Sequence, residues 1–126
     1  MMFRLLADLL MGARFDLPDV LIARFPELAA ARWRRGGLAL RVGGWCLGRQ
    51  TVSGITLWRT ISLAPGVALD PELLLHELRH VDQFAADQLF PLRYLWGSLR
   101  HGYQDNPFEA DARAFAANRL GAPPTA

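Results

Sequence analysis

Apolar residues recur along this chain with two different periods, and the change from one to the other separates helical from extended stretches. In residues 2–12, Phe3, Leu5, Leu6, Leu9 and Leu10 surround Arg4 and Asp8. That spacing predicts an amphipathic helix ending near Gly12 and packing on the core. Asp16-Leu17-Pro18-Asp19 breaks the chain and starts a second short helix, with Leu21, Ile22, Phe25 and Leu28 on its buried side and Pro26 interrupting it. From Leu38 the period becomes two: Leu38, Leu40 and Val42 alternate with Ala39 and Arg41, and Gly43-Gly44 gives a hairpin signal before Trp45-Cys46-Leu47. The clearest strand spans residues 55–63. Ile55, Leu57, Ile61 and Leu63 face one way, Thr56, Trp58, Thr60 and Ser62 the other, and Arg59 breaks the apolar face.

The helical period returns after Pro65-Gly66. Asp70, Pro71 and Glu72 supply an N-cap, a proline at the first helical position and an acidic first turn. Leu73, Leu74, Leu75, Leu78, Val81 and Phe84 then cover most of the circumference, so this helix is expected to be central. Phe90-Pro91 separates it from residues 92–100, and Asp105-Asn106-Pro107 opens a last helix over 108–120 that stops at Gly121. The pattern predicts an α+β chain forming one domain, 1–126. Its parts are an N-terminal helical arm (1–35), a small, mostly antiparallel sheet of three strands (38–64) and a helical part (70–120).

Composition narrows the function. A chain of 126 residues that is 52% hydrophobic can bury a core without disulfides. All 14 basic residues are arginines, set against 12 acidic ones, and a net charge of +2 is too small to argue for nucleic acid. Arg14, Arg24, Arg32, Arg34 and Arg35 concentrate in the first third and read as a solvated helical face. Cys46 is the only cysteine, which excludes an intrachain disulfide and leads us to expect a reducing, cytoplasmic location. Asp8 interrupts the apolar start, so a signal peptide is not expected, and no run approaches the roughly 20 apolar residues of a membrane span. The first helix is apolar enough for membrane-surface contact to stand as an alternative to core packing.

The chemistry lies in the central helix, where LLLHELRHVDQF places His76, Glu77 and His80 in an apolar run. Residues four apart share a helix face, so the two imidazoles can converge on one metal ion, here Zn2+. Glu77 projects about a quarter-turn away, which suits a base rather than a ligand. With 3 histidines in the chain, roughly 0.002 chance matches to His-Glu-x-x-His are expected, so accident explains the motif poorly. Catalytic zinc commonly takes three protein ligands. Glu109, Asp111, His101 and Cys46 are the candidates for the third. Tyr103 and His101, in a glycine-containing loop before the last helix, are placed where a donor to a developing oxyanion could stand.

HELRH, followed 29 residues after its second histidine by NPFEADA, resembles the gluzincin branch of the zincin metallopeptidases, and in particular small bacterial zincin-like domains. The resemblance covers residues 55–115. It implies His76, His80 and Glu109 as zinc ligands, Glu77 as general base, and a minimal zincin core with the sheet packed on the motif helix and the ligand helix. Gln83 and Ala86 stand where a metzincin would carry Gly and His. The cysteine-ligated deformylases also fit worse, because Arg79 replaces the residue expected before the second histidine. Arg113 occupies the place of the aspartate that orients a ligand histidine in thermolysin-like relatives. Support for the ligands is therefore expected from Asp105 or Asp111, with Arg113 bracing Glu109 as an i, i+4 pair. The implied activity is metalloendopeptidase cleavage of a peptide or protein substrate, with zinc activating water and Glu77 moving its proton. Substrate is expected to add as a strand along residues 55–63, flanked by Thr56, Trp58 and Thr60. The alternative is a catalytically inactive zinc-binding module acting in protein interaction.

Overall fold

Two glycines shape the start of the chain. Helix α1 (Met2–Met11) stops at Gly12, where φ is +90° and a Cβ would lie 1.9 Å from the carbonyl oxygen of Arg35. A Cβ on Gly37 would in turn lie 2.4 Å from the amide nitrogen of Gly12, so two backbone segments pass where no side chain fits. The computed structural model describes residues 2–46 and 52–121. It divides into two compact units, Met1–Ala68 and Leu69–Ala126.

The first unit contains α1, β1 (Ala13–Arg14), α2 (Asp19–Arg24), a 3-10 turn (Pro26–Ala30), β2 (Arg32–Arg35), α3 (Leu38–Cys46), β3 (Gly54–Leu57) and β4 (Thr60–Leu63). The α+β expectation holds, but the sheet differs from the one predicted. It has four strands in the order β1-β2-β4-β3, and β2 runs parallel to β4 while the other two pairings are antiparallel. Two strands therefore fall in the segment 1–35 that was expected to be helical, and Arg14, Arg32, Arg34 and Arg35 sit on strands rather than on a helical face. Arginine hid β2 from a hydrophobicity pattern. Its single apolar residue, Trp33, is buried and donates its indole N–H to the Leu28 carbonyl at 2.9 Å. Arg34 pairs with Asp8 at 2.7 Å, and Arg35 donates to the carbonyls of Ala64, Pro65 and Val67.

The period-two reading of residues 38–47 is corrected as well, because this segment is α3 as far as Cys46. Three apolar positions two apart cannot separate strand from helix, and Leu38-Ala39-Leu40 are strong helix formers. Leu40 alone of the three is buried. The single strand expected over 55–63 is a hairpin, turning at Trp58-Arg59 between the paired Leu57 and Thr60. Trp58 takes a φ of 54°, the left-handed conformation a tight hairpin asks for and a bulky side chain rarely supplies. Helix α1 does not pack on the core as expected: none of its residues is buried, and Phe3 is 86% exposed. Phe25, Leu28, Ile61 and Leu63 form the centre of this unit.

The second unit holds the three helices α4 (Pro71–Ala86), α5 (Phe90–His101) and α6 (Pro107–Arg119). Each has proline in its first turn, where a missing N–H costs nothing. Asp70 caps α4 by accepting from the Glu72 amide, as predicted, and Asn106 caps α6 by accepting from the Phe108 amide at 2.9 Å. Leu74, Leu75, Leu78, Val81 and Phe84 of α4 are buried together with Ala112 and Ala116 of α6. Phe90 joins α5 to this core through ring contacts of 4.7 Å with Phe84 and 5.0 Å with Phe108.

Candidate metal centre

Helix α4 carries His76 and His80 one turn apart, with ring centroids 5.1 Å from each other. Their partner comes from the first turn of α6. The Glu109 carboxylate, 3% exposed, lies with Oε2 2.7 Å from His76 Nε2 and Oε1 3.0 Å from His80 Nε2. One ligand atom from each of these residues lies within 4.8 Å of the other two, a grouping able to hold a metal ion. Of the four candidates for the third ligand, the structure brings Glu109 to the pair of histidines. Asp111 points to Arg79, His101 is exposed at the end of α5, and the Cys46 side chain lies outside the described residues.

The donor set fits zinc. Two imidazole nitrogens and a carboxylate are ordinary zinc ligands, and bonds of about 2.0 Å in tetrahedral geometry separate donors by roughly 3.3 Å. The Nε2–Oε distances of 2.7 and 3.0 Å need to open only slightly to match.

Three side chains fix how these donors are presented, and two of them escaped the sequence reading. Gln83 donates its amide hydrogens to the Phe108 carbonyl at 3.0 Å and to Asp111 Oδ2 at 2.9 Å. Both partners only accept, so the amide has one orientation, with Oε1 directed at His80 Nδ1 at 2.7 Å. His80 must then carry a proton on Nδ1, which leaves Nε2 facing Glu109. Asp111 supports this from behind through Gln83 and is itself held by Arg79 Nε at 2.8 Å. That hydrogen bond keeps the Asp111 carboxyl below its usual range. Tyr94 donates its hydroxyl to Glu109 Oε1 at 2.7 Å. Burial and the neighbouring Glu109 charge push the Tyr94 hydroxyl well above its ordinary pKa, so it remains a donor.

Electrostatics tie the cluster together. Burial opposes charge on both Glu109 and His80, yet the hydrogen bonds of Glu109 with His76 and His80 prevail. Glu109 is held far below the usual carboxylate range. His80 is raised to about 9 by its hydrogen bond to Glu109, the charges of Glu77 and Glu109, and Gln83. Glu77 is buried on α4, and its charge bears on both His80 and Tyr94.

The remaining predicted residues fall elsewhere. Arg113 does not brace Glu109: its guanidinium donates to the Gln104 carbonyl at 2.7 Å, because that carbonyl ends the preceding turn within reach. Asp105 is exposed in the turn before Asn106. Tyr103 is half-buried in the same turn, and its backbone carbonyl accepts from the Asn106 amide. Thr56, Trp58 and Thr60 belong to the sheet unit. Thr56 is buried, Trp58 is in the hairpin turn, and Thr60 begins a strand paired on both sides, so of the segment 55–63 β4 offers no edge for an added strand, while β3 is the outer strand of the sheet among the described residues. No helix among the described residues is long and apolar enough to cross a membrane. No family model, curated protein or solved structure matches this chain.

Proposed function

We propose that this protein binds zinc through His76, His80 and Glu109 and hydrolyses peptide bonds with Glu77 as general base, in the manner of the gluzincin metallopeptidases it resembles. The observation that carries the reading is the convergence of His76 Nε2, His80 Nε2 and the Glu109 carboxylate from two helices whose ligands are 29 residues apart in sequence. Zinc held there would supply Lewis acidity towards a carbonyl oxygen and a water. The protein's own part is proton transfer and orientation. The Glu77 carboxylate takes the proton of the attacking water and delivers it to the leaving amine nitrogen, while Gln83 and Tyr94 keep His80 and Glu109 in place.

Elemental analysis of the purified protein tests the metal. The expected result is one zinc per chain, most of it lost in His76→Ala and Glu109→Ala and kept in Cys46→Ser; stoichiometric zinc in Glu109→Ala would remove Glu109 from the ligand set. Glu77→Gln tests the chemistry, because it keeps size and removes the base. Zinc and fold should survive while cleavage of an unstructured protein falls by a factor of about 100 to 10,000. A wild-type protein that holds zinc and cleaves nothing would instead support the inactive zinc-binding module.

A further inference from the structure

We propose that α5 is a membrane-surface helix that lays its outer face on an anionic lipid leaflet. The helix has two unlike sides. Phe90 and Gly97 are buried against the rest of their unit, and Tyr94 reaches inward to Glu109. Facing outwards are Leu92 at 66%, Trp96 at 63% and Leu99 at 81% exposure, with Leu95 beside them and Leu89 at the N-cap. Residues 92, 95, 96 and 99 follow the i, i+3, i+4, i+7 spacing of one helix face. Scattered exposed leucines are ordinary, but a continuous stripe of this kind on one short helix marks an interaction surface.

Charge selects the occupant. The unit formed by residues 69–126 carries eight carboxylates against five arginines, yet none of those carboxylates lies on α5. The charged residues of the helix are Arg93 and Arg100, both exposed like the neighbouring His101, and Arg93 Nε also pairs with Asp87. Beside the stripe, between α5 and the start of α6, lies an open slot of about 490 Å³. Leu92, Trp96, Pro107 and Phe108 line it, and Arg93, Arg100 and His101 border it. An apolar surface with tryptophan and leucine at its centre, arginine at its edge and no acceptor for a directional hydrogen bond matches a leaflet: acyl chain below, anionic headgroup at the rim.

The test is vesicle flotation of the full chain. Phosphatidylcholine vesicles containing phosphatidylglycerol should carry the protein, and pure phosphatidylcholine vesicles should carry about tenfold less or none. Binding should weaken with added salt. Leu92→Glu with Leu99→Glu should abolish it, and Arg93→Gln or Arg100→Gln should each lower it about fivefold. Because these positions are exposed, circular dichroism should show unchanged helix content and melting, which separates lost docking from lost fold. Wild-type binding by the Leu92→Glu, Leu99→Glu variant overturns the proposal, as does loss of binding only when Phe3 and Leu6 of α1 are replaced by glutamate. Equal affinity for neutral vesicles, no vesicle affinity at all, or self-association abolished by the same Leu→Glu pair also overturns it.

Discussion

The Glu109 carboxylate sits where burial alone would keep it neutral, and the two histidines reverse that preference. The consequence for pH has two sides. His80 is raised in the folded protein to about 9, above the roughly 6.5 of an unfolded chain, so its contribution to the metal-free fold is complete below about pH 6.5 and disappears as pH rises through 9. Glu109 is depressed, so its contribution is complete above about pH 4.5 and disappears as pH falls. Metal-free protein should therefore melt highest between these limits, with His80 alone accounting for about 3 kcal/mol at most. Zinc replaces the proton on Nε2, so its affinity should climb as pH rises towards 9, with proton release measured by calorimetry in buffers of different ionisation enthalpy. An affinity flat over that range would contradict the pairing of His80 with Glu109. Tyr94→Phe removes only a hydroxyl and should weaken zinc binding about tenfold or more. His76, Glu77 and His80 were legible because four-residue spacing on a helix is itself geometry. Tyr94 was not, since one hydrogen bond across fifteen residues leaves no periodic trace. Gln83 left a signal that went unread: it is three residues after His80 and seven after His76, a polar position on the ligand face of an apolar helix.

At the level of elements, Asn106 does more than cap α6. Its Oδ1 accepts from the Phe108 amide, while Nδ2 donates to the Tyr94 carbonyl and to Ser98 Oγ on α5, the side chain being fully buried against Gly97. One amide thus ties the helix bearing Glu109 to the helix bearing Tyr94. Asn106→Ala removes the cap and leaves buried polar groups without partners, a loss of about 2–4 kcal/mol. Because both helices serve the same carboxylate, zinc affinity should fall with stability, whereas Asp70→Ala, which also removes a cap, should cost about 1 kcal/mol and leave zinc affinity nearly unchanged. Chelator competition alongside urea unfolding separates the two effects. Helices with caps and first-turn prolines were readable from sequence, since those residues act locally. The sheet was less so: β2 depends on Trp33 finding Leu28 and on arginines finding distant carbonyls, and these are tertiary facts.

For the molecule as a whole, the net charge of +2 conceals a division. Residues 1–68 carry nine arginines and four carboxylates, and residues 69–126 carry five and eight. Every side chain of the candidate centre belongs to the second, acidic unit, and the ligands join α4 to α6. A metal bound only by the folded state stabilises it by RT ln(1 + [L]/Kd), about 2.7 kcal/mol at a hundredfold excess over Kd. That stabilisation should register first where the ligands are. Hydrogen exchange with and without zinc should show amides of α4 and α6 slowed, with those of α5 following because Tyr94 and Asn106 hold it to the same carboxylate and cap. Amides of β2 and β4 should change little if the sheet unit opens independently. Equal slowing in both units would mean that they unfold as one cooperative block, and slowing confined to the sheet would remove the metal from His76, His80 and Glu109 altogether.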